Sequence, residues 1–212
     1  MVFAVLIVVA YLLGSVPFGL IIAAAHGKDL RNIGSGNIGA TNLSRALGTK
    51  WAYSCFALDV AKGLLPTLAA SGYVSSQPSV ADFFLWLAVG CAAILGHIFP
   101  IYVKFRGGKG VATSFGVALG LWPYYTICAV FALAVWIMVV RMWRYVSLAS
   151  IVASVVFPAV LVLIIALMPL WNLAELWPLL LTAVAIPLMV IIRHRENIKR
   201  LIKGTESKVL QQ

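Results

Sequence analysis

Acidic side chains are scarce in this chain, with six among 212 residues against sixteen Lys and Arg and a formal net charge of +10. Charged residues of either sign are only 10% of the sequence and apolar residues 63%, too apolar a mix for a water-soluble domain of this length to bury. Cysteine is also rare. Cys55, Cys91 and Cys128 all fall in apolar runs, with no C-x-x-C spacing and no clustered histidines. That excludes a disulfide framework or a zinc site and leaves them as small apolar fillers. No metal or other cofactor is expected.

Long apolar runs are abundant, and runs of about 20 residues are the signature of membrane spans. We place spans near 3–25, 51–74, 82–103, 110–122, 124–140, 146–168 and 174–192. Residues 1–25 hold no charge and are too long for a signal-peptide core. No basic leader precedes them and no small-residue cleavage site marks them, so they read as a retained span. Residues 110–140 form one apolar stretch, broken at Trp122-Pro123 because proline removes a helical donor and clashes with the preceding turn. The expected fold is an all-α integral membrane protein of seven helices, one domain over 1–207. Residues 208–212 read as a disordered tail or an added remnant.

The cations are grouped. Four lie in 26–50, three in 104–109, two at Arg141 and Arg144, and six after Ile192; the sixteenth is Lys62, inside the second span. Cytoplasmic loops are enriched in Lys and Arg. Putting all four groups inside requires two crossings between neighbours, hence an outer N-terminus and a cytoplasmic C-terminus. The charge follows topology and no soluble binding module exists, so a nucleic-acid partner is not expected.

Three polar segments interrupt the apolar background: GSGNIGATN (34–42), GHIFPIYVKFRGGKGVAT (96–113) and RHRENIKRLIKGTE (193–206). The first matches G-x-G-x-x-G, but a membrane span precedes it where a dinucleotide site needs a strand. Its physical content survives. Gly34, Gly36 and Gly39 let backbone N–H groups approach an anion. Ser35, Asn37, Thr41 and Asn42 add donors, and Arg45 lies on a helix expected to begin near Ala40. The plainer alternative is a flexible interhelical loop.

In the second segment Gly110 stands where a Walker A loop has Ser or Thr. Yet glycines leading into a helix make an anion site from backbone N–H and helix dipole. Gly107, Gly108 and Gly110 supply the loop, Thr113 sits in the first helical turn, and Lys104, Arg106 and Lys109 add charge. A stop-transfer cluster needs the charge but not the glycines. His97, near a helix end, reads as structural. In the third segment, a continuing helix would put Arg193 and Asn197 on one face, with His194 beside Asn197; Arg200 and Glu206 follow. A basic amphipathic surface helix is the alternative there. Within the second span, Asp59 and Lys62 are spaced i,i+3, either as an ion pair bracing the helix or as the inner edge of a site.

The three segments together resemble the signature loops of the acyl-phosphate-dependent glycerol-3-phosphate acyltransferase family, PlsY. The family pattern is GSxNxGAxN, GHxxPxxxxFxGGKGxAT and RHxxNIxRLxxGxE. Here it runs Gly34 to Asn42, Gly96 to Thr113 and Arg193 to Glu206, with a further DxxKG match at Asp59 to Gly63. The resemblance covers essentially the whole chain, without a departure at a motif position.

The resemblance implies acyl transfer from a fatty acyl phosphate to the 1-hydroxyl of sn-glycerol 3-phosphate. The products would be lysophosphatidic acid and inorganic phosphate, as in bacterial phospholipid synthesis at the cytoplasmic face of the inner membrane. Both substrates are anions and the donor is dissolved in membrane lipid, which suits the residues. Lys104, Gly107, Gly108, Lys109, Gly110 and Thr113 are expected at the acyl phosphate. Ser35 would donate to the developing oxyanion or the leaving phosphate. Asn37, Asn42, Arg45, Arg193 and Glu206 are expected at glycerol 3-phosphate, with His194 and Asn197 orienting the attacking hydroxyl. Either His194 or the substrate's own phosphate would take the proton. Other glycerolipid acyltransferases use His-x4-Asp, a spacing absent here: Arg31, Tyr102 and Lys199 stand five positions after His26, His97 and His194. Acyl phosphate is already activated, so direct transfer without an acyl-enzyme is expected. A phosphate or organic-anion transporter is the alternative. It would place more polar residues at the bilayer midplane and show internal repeats. Oligomeric state and acyl-chain preference have no sequence signal.

Overall fold

The computed structural model describes residues 1–169 and 171–209, and among these there are helices, turns and bends but no strand. Of the expected tail, 210–212 lie outside the described residues. The chain is an all-α integral membrane protein. Segments 2–25, 80–103, 126–143, 146–167 and 173–193 are each long and apolar enough to cross a bilayer.

The chain divides into two compact units, Met1–Ser76 with Phe84–Leu121, and Gln77–Phe83 with everything from Trp122 onward. The first contains α1 (Val2–Gly14), α2 (Phe18–Ala25), α3 (Ala40–Leu47), α4 (Thr49–Ser71), most of α5 (Val80–Ile98) and α6 (Val111–Gly120). The second contains α7 (Thr126–Trp143), α8 (Val146–Leu167), α9 (Leu173–Arg193) and α10 (Arg195–Ile202).

In the first unit the expected span 3–25 is two helices, because Pro17 removes a donor and disfavours helical geometry at Val16. The carbonyl of Val16, at this break, accepts a hydrogen bond from Lys62 Nζ on α4 at 2.9 Å. A charged side chain inside the second span is thus matched to a break in the first. Small residues bring the helices together, as membrane packing requires. A Cβ on Gly14 of α1 would strike the Ala93 backbone of α5, and one on Gly96 would strike Tyr11 O. Between α4 and α6, Gly63 meets Thr113 O, Gly116 meets Val60 O and Gly120 meets Thr67. The short α6 has 10 residues, hence a length of about 15 Å against a hydrocarbon core of about 30 Å. It does not cross a bilayer by itself. The apolar run 110–140 breaks where Pro123 predicts, with α6 ending at Gly120 and α7 beginning at Thr126.

In the second unit, α8 packs between α7 and α9. Tyr125 Oη bonds to Leu179 O and meets Thr182 Oγ1 at 2.6 Å, tying the start of α7 to α9. Trp136 Nε1 donates to Ser150 Oγ at 3.2 Å. The short α10 packs on α8 and α9. Past it, Val209 N donates to Arg144 O at 2.8 Å and the Lys208 ammonium lies over the Tyr145 ring.

Candidate active site

The first segment is a turn closed by one asparagine. Gly34 and Gly36 have φ of 55° and 69°, a left-handed geometry that side chains resist. Inside this turn Asn42, on α3, is 1% exposed. Its Oδ1 accepts from Ser35 N at 3.0 Å, and its Nδ2 donates to Leu30 O at 3.1 Å and Ile33 O at 2.9 Å. Its amide is therefore engaged by the chain around it, and Asn42 shapes the segment. Ser35 and Arg45 are exposed and Asn37 is half-buried. α3 begins at Ala40, as expected, and its apolar face, Leu43 and Ala46, is buried with Leu30, Ala23 and Cys55. That burial turns Arg45 outward. Arg45 has no ion pair among the described residues.

The second segment folds back on the end of α5. Gly107 N donates to Ile98 O at 3.2 Å and Gly108 N to His97 O at 3.1 Å. These two N–H groups satisfy helix carbonyls that would otherwise be orphaned. A Cβ on Gly107 would strike the His97 carbonyl, and one on Gly108 would strike the His97 ring, so both glycines serve close packing. Further backbone donors lie beyond them. Gly110 is the N-cap of α6, without a capping side chain, and the helix opens with Val111, Ala112 and Thr113. The first N–H groups of a helix carry its positive dipole end. Thr113 is fully buried, and its hydroxyl has no hydrogen-bond partner among the described residues. Upstream, Lys104 and Phe105 both adopt left-handed φ, at 55° and 60°, uncommon for side-chain-bearing residues. Lys104 and Arg106 are exposed, without an ion pair among the described residues, and Lys109 is half-buried.

Behind this loop lies a buried polar cluster. Asp59, Lys62 and His97 are 3%, 6% and 6% exposed. Lys62 Nζ stands 2.8 Å from Asp59 Oδ1, and His97 Nδ1 stands 3.6 Å from the same oxygen. The three line a small recess with the α1–α2 break, Ile38 of the first segment and Pro100 of the second. The first and second segments therefore meet within one unit. His97, read as structural from sequence, sets the second segment against Asp59 of α4.

The third segment belongs to the second unit. The expected continuous helix is interrupted, with α9 ending at Arg193, His194 intervening at φ −96° and ψ 6°, and α10 starting at Arg195. Arg193 and Asn197 thus stand on different helices. The cause is local: His194 N bonds to Ile191 O, and the His194 ring bonds back through Nδ1 to Val190 O at 2.8 Å. A carbonyl can only accept, so Nδ1 carries the proton. In the neutral ring Nε2 is then the acceptor nitrogen.

Asn197 is fixed by Glu206, whose Oε1 accepts from Asn197 Nδ2 at 2.5 Å and from Ser147 Oγ at 2.7 Å. Arg200 Nε bonds Oε2 at 2.6 Å. Burial alone would raise the Glu206 carboxyl, but bonds from Asn197, Ser147 and Arg200 outweigh it and hold it below the usual carboxylate range. Both Glu206 oxygens are engaged, and an anionic carboxylate would repel a phosphate. Glu206 braces Asn197. Ser147 escaped sequence reasoning. It is one serine among Ser150 and Ser154 on an apolar helix, and nothing local distinguishes it. Among the described residues no group of three His, Cys, Asp or Glu is placed to hold a metal.

Comparison with known proteins gives a consistent result. The family model described as glycerol-3-phosphate acyltransferase matches residues 4–204. The glycerol-3-phosphate acyltransferase of Trichlorobacter lovleyi is 48% identical over 94% of this chain and 93% of its own. That of Aquifex aeolicus is 44% identical over 95% of this chain and 96% of its own. A crystal structure of PlsY (YgiH), an integral membrane glycerol 3-phosphate acyltransferase, in its glycerol 3-phosphate form, is 39% identical with a TM-score of 0.86 and covers 100% of both chains. Its lysophosphatidic acid form gives a TM-score of 0.83 at 38% identity, over 98% of this chain and 95% of that one. With nearly its whole length matched, this chain belongs to the glycerol-3-phosphate acyltransferase family.

Proposed function

We propose that this protein transfers a fatty acyl group from acyl phosphate to the 1-hydroxyl of sn-glycerol 3-phosphate. The hydroxyl oxygen attacks the acyl carbonyl, the C–O bond to phosphate breaks, and 1-acyl-sn-glycerol 3-phosphate and inorganic phosphate leave. The solved relatives' forms, with glycerol 3-phosphate and with lysophosphatidic acid, fit the acceptor and the product of this reaction. A family of acyltransferases favours this over an anion transporter.

The observation that carries the reading lies in the first unit: Lys104, Arg106 and Arg45 are exposed cations without carboxylate partners among the described residues, and an uncapped helix end follows the second segment. Such groups are free to neutralise phosphate. We assign the α6 end, with Lys104, Lys109 and Thr113, to the acyl phosphate, and Arg45, Asn37 and Arg193 to the acceptor's phosphate. Ser35 donates its hydroxyl to the oxyanion or the leaving group. His194 and Asn197 orient the attacking hydroxyl. Its proton passes to His194 Nε2 or to a substrate phosphate. The setting is the cytoplasmic face of a bacterial inner membrane, where the acyl chain enters from lipid.

The test is a purified preparation given glycerol 3-phosphate with palmitoyl phosphate or palmitoyl-CoA, with products read by mass spectrometry. Palmitoyl phosphate yields lysophosphatidic acid and phosphate in equal amounts, and palmitoyl-CoA yields neither. Comparable rates from the CoA ester refute the donor assignment.

A further inference from the structure

We infer that Asp59 and His97 form a positioning pair, with His97, oriented by Asp59, serving as the template on which the turn Gly107–Gly110, leading into the α6 end assigned to phosphate, is built. The inference rests on the acyltransfer reading above for its kinetic readout.

Bracing alone does not account for the cluster. Burying two ions costs so much solvation that apolar residues of equal volume often serve stability as well or better. The Lys62 ammonium has a structural use, bonding to Asp59 at 2.8 Å and to the Val16 carbonyl at 2.9 Å. His97 is not needed for either contact. Its Nδ1 nevertheless faces the same Asp59 oxygen at 3.6 Å. The other side of the ring is where the turn wraps: a Cβ on Gly108 would strike Nε2, Cε1 and Cδ2. The turn is also hung from the backbone of the same residue, since Gly108 N donates to His97 O at 3.1 Å. Just upstream, Lys104 and Phe105 hold left-handed φ, a geometry that persists only where the surroundings over-determine it. Just downstream, α6 begins. A rotation of the His97 ring would therefore shift both the lysine and the helix end that hold a phosphate. Asp59 sits one helical turn into α4 from Cys55, whose Sγ lies 3.7 Å from Asp59 Oδ2, so the anchor of the ring is itself fixed within the span.

The experiment uses the full-length protein in detergent, with His97→Ala, His97→Asn, Gly108→Ala and the double variant His97→Ala/Gly108→Ala. Asparagine keeps a nitrogen near the Nδ1 position, within reach of Asp59, but withdraws the ring from Gly108. The two Michaelis constants are measured separately, and binding of inorganic phosphate is followed in parallel by thermal shift. In His97→Ala and His97→Asn the KM for one phosphate-bearing substrate rises about tenfold, as for loss of one well-placed contact, while the other KM and the melting temperature hold. Gly108→Ala is impaired alone but adds nothing in the His97→Ala background, where the ring it would strike is gone.

A rise confined to palmitoyl phosphate supports the pair and the donor assignment. A rise confined to glycerol 3-phosphate supports the pair and moves the held phosphate to the acceptor. Equal rises in both, a change in kcat alone, wild-type kinetics, or additive losses in the double variant overturn it. Failure of both His97 variants to accumulate as folded protein also overturns it, because the residue then serves the fold and not the turn. A wild type that binds phosphate without acyl transfer refutes the functional reading alone. Weakened phosphate binding in His97→Asn then still decides the pair.

Discussion

Asn42 spends its amide on Ser35 N and on the Leu30 and Ile33 carbonyls just upstream of the first segment, while Ser35 and Arg45 on either side stay exposed. That contrast separates residues that shape the site from residues free to meet a substrate. Arg45→Ala and Lys104→Ala should each lower kcat/KM by about tenfold or more without lowering the melting temperature, since a charge-assisted hydrogen bond contributes roughly 1.5–3 kcal/mol. Full activity in either variant would show that the charge serves topology alone. Asn42→Ala should instead lower activity and thermal stability together, because it leaves Ser35 N without its acceptor and takes one of two donors from the Leu30 and Ile33 carbonyls. Glu206 gives a pH test. Its folded-state pKa is depressed, so its stabilising contribution is present above the ordinary carboxylate pKa of about 4.5. It is lost as pH falls through the lower folded value. Melting temperature should therefore fall on acidification through that window in the wild type, and less steeply in Glu206→Gln. Parallel curves would argue against the brace. The motif residues were legible in the sequence, but their division of labour was not. A motif names a side chain without naming what it bonds, so the bonds that Asn42, Glu206, Gly107 and Gly108 make within the protein were not legible.

The helices follow the apolar runs closely, because a run without charge has no other stable form in lipid. Expected spans 146–168 and 174–192 appear as Val146–Leu167 and Leu173–Arg193. The departures have local causes. Pro17 splits the first span, and the bond from the His194 ring to Val190 O accompanies the break before α10. Pro66, Pro158, Pro178 and Pro187 lie within helices, so proline alone did not decide where a break falls. The interface of α4 with α6 was not read from the sequence, although Gly116 and Gly120 are one helical turn apart. Gly116→Val should destabilise the protein, since its added carbons meet the Val60 backbone, which cannot step aside; overpacking costs about 1–3 kcal/mol or more. Thermal unfolding followed by size-exclusion chromatography reads this directly. An unchanged midpoint would mean that α4 and α6 are less closely packed.

For the whole molecule, fifteen of sixteen Lys and Arg fall in four groups, the clustering expected where all four lie on one side of a membrane. Five segments have the length and composition to cross, α4 adds a long helix carrying Lys50, Asp59 and Lys62, and α6 is short. Single cysteines at Ser35, Arg106 and Ser207, in a cysteine-free background, should resist an impermeant thiol reagent in intact cells, while those at Ser76 and Asn172 react. Labelling of Ser35 and Arg106 from opposite sides would break the one-sided arrangement. The central claim is that two phosphate-bearing substrates are held at once and the acyl group passes directly between them. The most direct measurement mixes purified protein with palmitoyl phosphate alone, follows phosphate release and the mass of the intact protein, and then adds glycerol 3-phosphate. The account predicts no phosphate burst and no acylated Ser35 before the acceptor arrives, then phosphate and lysophosphatidic acid in step. A stoichiometric burst, with an acyl group on Ser35 that glycerol 3-phosphate removes at the turnover rate, would contradict it.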